Sequence, residues 1–148
     1  MTSSVCPAFE NIGLINSAVW VDIDNDKIPD LIIAGDWMPI GIFKNNGKTL
    51  TEITGQTGLQ NSPGLWRSMV VADVHHDGDL DIVAGNLGLN NPYHINAQQP
   101  AELVAKDFDN NGVMDDVFCY YIKDNDGVYK LSSGISRDDW ARQVPSIK

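Results

Sequence analysis

Three short acidic segments of this 148-residue chain carry side chains suited to holding a hard cation. Counted from its first Asp, each segment places oxygen or nitrogen donors at positions 1, 3, 5 and 9. The segments are residues 22–30 (DIDNDKIPD), 73–81 (DVHHDGDLD) and 107–115 (DFDNNGVMD). Ca²⁺ takes about six to eight oxygen ligands, and alternate side chains of a tightly curled loop can converge on one ion. The spacing therefore predicts a repeated calcium loop, in which position 7 adds its backbone carbonyl.

Two positions depart from this shared pattern. Position 6 favours a left-handed backbone, which Gly78 and Gly112 supply, but Lys27 stands there in the first loop. Position 3 of the second loop is His75, and imidazole suits transition metals better than Ca²⁺. We expect the second loop to bind through fewer oxygens, to use a water, or to be empty. A transition-metal or catalytic site on the His75–His76 pair is the alternative, although adjacent residues of an extended loop point in opposite directions.

Position 12 excludes an EF-hand. That loop needs a bidentate Glu at position 12 and a helix after it. The corresponding residues here are Ile33, Ala84 and Phe118, and all three lie in β-type apolar runs. The sequence also has no GxSxG, HExxH, P-loop or dinucleotide-binding motif. We therefore expect no enzymatic activity, because an active site occurs once per domain whereas structural metal sites recur with the fold.

Apolar runs before and after each loop predict the strands that position the donors. They are residues 17–21 and 31–34, 69–72 and 82–85, and 103–105 and 117–122. After the first pair, residues 40–44 and 49–53 predict a hairpin around the turn 45–47, which completes a four-stranded unit. The polar residues 90–99 predict short or irregular outer strands in the second unit.

The third unit ends in a turn, a strand and a short helix. The turn is predicted at residues 124–127 and the strand at 128–131. Residues 136–143 begin with a candidate Ser N-cap and predict a helix that Pro145 ends. We expect Trp20 and Cys119, which lie in apolar runs, to be buried.

The three segments resemble the FG-GAP/VCBS repeats of integrin-α-like β-propellers. The family form is Asp-x-Asp/Asn-x-Asp/Asn-Gly-x-x-Asp followed by an apolar pair and a Gly, and the resemblance covers roughly residues 12–132. It implies an all-β fold in which each repeat is about one four-stranded blade, with the calcium loop between its first two strands. Three blades do not close a ring. We therefore expect one partial propeller domain over residues 1–148, with blades near 12–60, 64–100 and 101–148, the last incomplete.

The resemblance also implies a set of ligands for up to three structural Ca²⁺ ions, of which the second is the weakest candidate because of His75. In the first loop these are Asp22, Asp24, Asp26, Asp30 and the Ile28 carbonyl. In the second they are Asp73, His75, Asp77, Asp81 and the Asp79 carbonyl. In the third they are Asp107, Asp109, Asn111, Asp115 and the Val113 carbonyl.

Asp dominates the charge of the chain. The formal net charge is −10, and 17 of the 20 acidic residues are Asp. This sign argues against binding nucleic acid through a basic surface. No apolar run reaches the roughly 18 residues of a membrane span. Twelve of the Asp residues belong to the loop regions, so the acidity is mostly metal-loop charge.

The resemblance favours an exported module for adhesion or for binding a protein or glycan ligand, at an extracellular, cell-surface or periplasmic location. Residues 1–7 have no signal-peptide pattern, so the chain is either cytosolic or an internal piece of a longer exported protein. The expected partners are the rest of the propeller, the unknown ligand and further copies of the chain, through exposed strand edges. The alternatives are part of a carbohydrate-active enzyme propeller, such as a polysaccharide lyase or hydrolase, and a scaffold without a ligand.

Overall fold

A computed structural model describes residues 5–88 and 91–143 of the chain. It divides into two compact units, residues 1–88 and 89–148. The described part is mostly β-structure with a few short helices, as the sequence predicts for an all-β fold. No helix in these residues is long and apolar enough to cross a membrane. The expectation of a single domain with three blades stays a prediction.

The elements are short and follow one another closely. The strands of the first unit are β1 (Leu14–Val21), β2 (Asp30–Met38), β3 (Gly41–Asn45), β4 (Leu50–Glu52), β5 (Gly64–Ala72) and β6 (Asp81–Asn86). The strands of the second unit are β7 (Glu102–Lys106), β8 (Asp115–Lys123) and β9 (Tyr129–Ser133). The α-helices are α1 (Thr54–Thr57) and α2 (Arg137–Gln143), and two 3₁₀ helices span Pro7–Asn11 and Leu59–Asn61.

Strands β1 to β4 form the predicted four-stranded antiparallel unit. Trp20 of β1 pairs with Leu31 of β2, Leu31 pairs with Phe43 of β3, and Phe43 pairs with Glu52 of β4. Gly47 in the turn between β3 and β4 has φ +81°, which suits Gly. Strands β5 and β6 form a second antiparallel pair. The end of β2 pairs with the start of β5, and this pairing joins β5 and β6 to the sheet of β1 to β4.

Strand β2 is buried on both faces, and this explains its continuous apolar run. One face belongs to a buried cluster that the N-terminal residues Ala8, Phe9 and Ile12 cover: Cys6, Leu31, Ile33, Met38, Phe43 and Leu50. The other face belongs to a cluster that packs against β5 and β6: Ile32, Ala34, Ile40 and Ile42. Packing on both faces of β2 therefore fixes the position of its first residue, Asp30.

The second unit is built on β8, which pairs with β7 and β9 in antiparallel fashion. Tyr93 packs on one face of β8, with ring centroids 5.0 Å from Phe118 and 4.9 Å from Tyr120. Short or irregular outer strands are predicted at residues 90–99, but the described residues 91–100 form turns and bends and contain no strand. The predicted helix is present, and the Ser136 hydroxyl accepts a hydrogen bond from the Asp139 N–H at 3.2 Å. Residues 90 and 145 lie outside the described part of the chain.

Trp20 and Cys119 are both less buried than predicted. Trp20 is 57% exposed, and it lies on β1, which pairs with β2 alone among the described strands. Cys119 is half-buried, on the middle strand of the small sheet of the second unit. An apolar run therefore predicted each strand correctly, but not which of its side chains a neighbouring element covers.

Candidate metal-binding loops

Each acidic loop joins two paired antiparallel strands. The first lies between β1 and β2, the second between β5 and β6, and the third between β7 and β8. The acidic residue at position 9 is the first residue of the second strand in every case: Asp30, Asp81 and Asp115. The sheet therefore fixes this carboxylate, while the curl of the loop fixes the others.

The carboxylate at position 1 holds each loop in the same curl. It accepts hydrogen bonds from the backbone N–H groups of positions 5 and 6. For Asp22 the donors are Asp26 at 3.1 Å and Lys27 at 2.8 Å. For Asp73 they are Asp77 at 3.2 Å and Gly78 at 3.0 Å, and for Asp107 they are Asn111 at 3.0 Å and Gly112 at 2.9 Å. The three loops thus share one local geometry.

The carboxylate at position 9 closes the loop from the other side by accepting from the N–H of position 2. The distances are 3.2 Å from Ile23 to Asp30, 2.9 Å from Val74 to Asp81, and 2.9 Å from Phe108 to Asp115. Backbone donors therefore aim two carboxylates toward the centre of each loop. Both are acceptors that a bound cation could share.

Two backbone positions of each loop are left-handed. Position 6 has φ of 70°, 95° and 87° at Lys27, Gly78 and Gly112, as expected. Position 4 is also left-handed, with φ of 60°, 60° and 57° at Asn25, His76 and Asn110. The spacing of the donors did not indicate a left-handed position 4. The signal for it was Asn in two of the loops, because Asn tolerates positive φ better than most residues.

The donor atoms converge in all three loops. Within each group the ligand atoms lie within 4.8 Å of one another, a span that one Ca²⁺ with oxygen ligands at about 2.3–2.6 Å can bridge. The groups are Asp22, Asp24 and Asp30; Asp73, His75 and Asp81; and Asp107, Asp109 and Asp115. These carboxylates fit a hard cation in number and type in the first and third loops.

The side chain at position 5 forms a hydrogen bond within the loop in the structure. Its side-chain oxygen accepts a hydrogen bond from the N–H of position 7: from Ile28 to Asp26 at 2.8 Å, from Asp79 to Asp77 at 3.0 Å, and from Val113 to Asn111 at 2.7 Å. Neither Asp26 nor Asp77 belongs to the converging groups. Coordination through position 5 and through the carbonyls of Ile28, Asp79 and Val113 stays a prediction.

The first loop contains the most buried carboxylate and a nearby cation. Asp30 has no exposed surface, and it also accepts a hydrogen bond from the Asn45 N–H at 2.7 Å. The Lys44 ammonium pairs with Asp24, and this hydrogen bond lowers the pKa of the Asp24 carboxyl. The position of Lys44 was not predictable from the sequence, since nothing in its spacing places a residue of β3 beside the loop.

In the third loop, backbone N–H groups support the ionised form of the Asp107 carboxylate. The pKa of Asp107 is lowered, chiefly by the hydrogen bond that its carboxylate accepts from the Gly112 N–H. Burial acts in the opposite direction, and the hydrogen bond from the Asn111 N–H lowers the pKa further. Asp107 therefore stays ionised at neutral pH. An ionised carboxylate is the form that coordinates a metal.

Residues 22–84 match the family model of the FG-GAP-like repeat. The match begins at the first ligand of the first loop and extends into β6, so it contains both loops of the first unit. The resemblance inferred from the motifs is confirmed for this stretch. The third loop lies beyond the match but repeats the same hydrogen bonds. No curated protein matches the sequence significantly.

Proposed function

We propose that this chain, which contains an FG-GAP-like repeat, is a calcium-stabilised β-propeller segment of an exported protein that serves adhesion or the binding of a protein or glycan. The observation that carries the proposal is the recurrence of one loop geometry at the same place between paired strands. Repetition favours a structural metal over an active site, and we propose that the segment is not itself an enzyme. The adhesive or ligand-binding role rests on the resemblance to integrin-α-like propellers.

Calcium would stabilise the loops by neutralising the charge of their carboxylates. Asp22, Asp24 and Asp30 bring three carboxylates within 4.8 Å of one another, and like charges at that distance repel. A divalent cation would remove the repulsion and join the end of β1 to the start of β2. The same role follows for Asp107, Asp109 and Asp115 between β7 and β8. The second loop is the weakest calcium candidate.

The propeller interpretation is supported by the antiparallel order of β1 to β4, which matches one blade, and by three loops that mark three repeats. Three repeats need further blades to close a ring. The exposed Val70 and Val83, 55% and 50% accessible, pair with each other on β5 and β6. We propose that the rest of the parent propeller, or further copies of the chain, bind to such faces.

An exported location suits this chemistry. Extracellular calcium modules bind with a Kd of about 10⁻⁴–10⁻³ M, which cytosolic calcium would not fill. The acidic charge supports the proposal that binding of nucleic acid is not part of the function.

A glycan array combined with a screen for polysaccharide lyase and hydrolase activity tests the proposed role. The chain should be assayed in 1 mM calcium with the Asp22→Asn and Asp107→Asn variants alongside. We expect binding to a glycan on the array without turnover of the bound glycan. Turnover by the purified chain would contradict the proposal and favour the carbohydrate-active enzyme.

A further inference from the structure

The second loop differs from the other two in the chemistry of its donors. We propose that it is a site for a borderline divalent metal ion such as Zn²⁺, held by Asp73, His75 and Asp81, and that it disfavours Ca²⁺. This inference rests on the proposed function of the loops as cation sites and assigns one of them a different metal. It follows from one difference in sequence, since His75 stands at position 3, where the other two loops have Asp, within a geometry that the three loops otherwise share.

The imidazole lies where the other loops place a carboxylate. His75 Nδ1 is 2.8 Å from Asp81 Oδ2, and together with Asp73 their donor atoms lie within 4.8 Å of one another. Donors around a tetrahedral zinc ion with bonds of about 2.0–2.2 Å are separated by about 3.3 Å. The three donor atoms therefore lie close enough together for side-chain rotations to bring them onto one zinc ion.

The same substitution weakens the loop as a calcium site. Ca²⁺ needs about six to eight oxygens, and His75 replaces one of the few carboxylates that the loop can supply. Imidazole is a common ligand of zinc, copper and nickel, and carboxylates complete many such sites. One His and two carboxylates give three protein ligands, and Asp77, whose Oδ2 is 4.0 Å from His75 Nδ1, stands beside them.

The neighbouring histidine does not belong to the site. His76 has a left-handed backbone, with φ +60°, at the position that Asn25 and Asn110 occupy in the other loops. It is absent from the converging group, whereas His75 is in it. His76→Asn is therefore a matched control, since it removes an imidazole next to His75 and restores the residue that the same backbone carries elsewhere.

The test is a calorimetric titration with Zn²⁺ in the presence of 5 mM Ca²⁺, which fills the first and third loops. We expect one zinc ion per wild-type chain, at least tenfold weaker binding in His75→Ala, and unchanged binding in His76→Asn. The His75 ring signals should shift in the NMR spectrum as zinc is added. Zinc binding of equal strength in wild type and His75→Ala would overturn the proposal.

A calcium titration of His75→Asp completes the experiment. This variant restores an Asp at position 3, so we expect it to lose the zinc site and to gain one calcium ion relative to wild type. Equal calcium binding by wild type and His75→Asp would also overturn the inference. If the whole chain bound zinc through His75 but no calcium at any loop, the calcium function would fail while the zinc site would stand.

Discussion

At the scale of single residues, the position-9 carboxylates of the first and third loops occupy different environments. Asp30 is fully buried and accepts backbone hydrogen bonds from Ile23 and Asn45. Asp115 is half-buried and accepts one from Phe108. The first loop is therefore tied to its sheet by a carboxylate that bridges two segments of chain, even before a metal binds.

Asp30→Ala should destabilise the metal-free protein by about 2–4 kcal/mol, because it leaves two backbone donors without their acceptor. Asp115→Ala is the matched control, and it should cost about half as much because it removes one such bond. Urea unfolding in EDTA measures both free energies. Equal losses in the two variants would contradict the role given to the burial of Asp30.

Lys44 competes with a metal ion for the first loop. Its ammonium pairs with Asp24, which is one of the converging carboxylates. Lys44→Met should therefore raise the calcium affinity of this loop about two- to fivefold, the range of an exposed ion pair, and should raise the pKa of Asp24 toward its ordinary value.

The control for Lys44 is Lys48→Met, which removes the same charge from the same hairpin. Calorimetry with calcium should separate the two variants, because only Lys44 contacts a donor. An equal gain in affinity from both would indicate a general charge effect and would contradict direct competition.

At the scale of elements, close contact between β1 and β2 depends on Gly35. A Cβ atom there would lie 1.9 Å from the Leu14 carbonyl oxygen and 2.9 Å from the Ile15 Cα. Gly85 is the corresponding glycine after the second loop, and its Cβ would meet only the Ser68 side chain closely, at 2.9 Å from Oγ. The glycine that follows the loop is therefore close to backbone atoms in the first repeat and to a side chain in the second.

Gly35→Ala should destabilise the chain by about 3 kcal/mol, because backbone atoms cannot move aside as a side chain can. Gly85→Ala should cost much less, since the Ser68 hydroxyl can rotate away. Thermal unfolding of both variants measures the difference. A Gly85→Ala loss as large as that of Gly35→Ala would show that the contact with Leu14 is not the cause.

The repeats made the elements predictable, and the contacts between elements were not. Three copies of one pattern located the loops, the strands on each side of them and the Asp residues at positions 1 and 9, because local hydrogen bonds determine that geometry. Lys44 and Trp20 could not be placed, since their surroundings come from strand pairing rather than from neighbours in sequence. His75 was recognised as unusual, but only the structure placed its nitrogen beside Asp81.

At the scale of the whole molecule, metal binding changes the charge of the chain. The formal net charge is −10, and calcium in the first and third loops would add +4 and leave −6. Binding by the folded state alone stabilises it by mass action. At 1 mM calcium and a Kd of about 0.1 mM, each site contributes about 1.4 kcal/mol, a large share of the stability of a small domain.

The claim that calcium stabilises this fold is tested most directly by thermal unfolding of wild type, Asp22→Asn and Asp107→Asn in 1 mM calcium and in EDTA. Calcium should raise the wild-type melting temperature by about 5–10 °C, because a stabilisation of about 1.4 kcal/mol per site produces a shift of that size in a unit of this length. Each variant should lose part of the increase. A wild-type melting temperature that is the same in calcium and in EDTA would contradict the claim that calcium stabilises this fold.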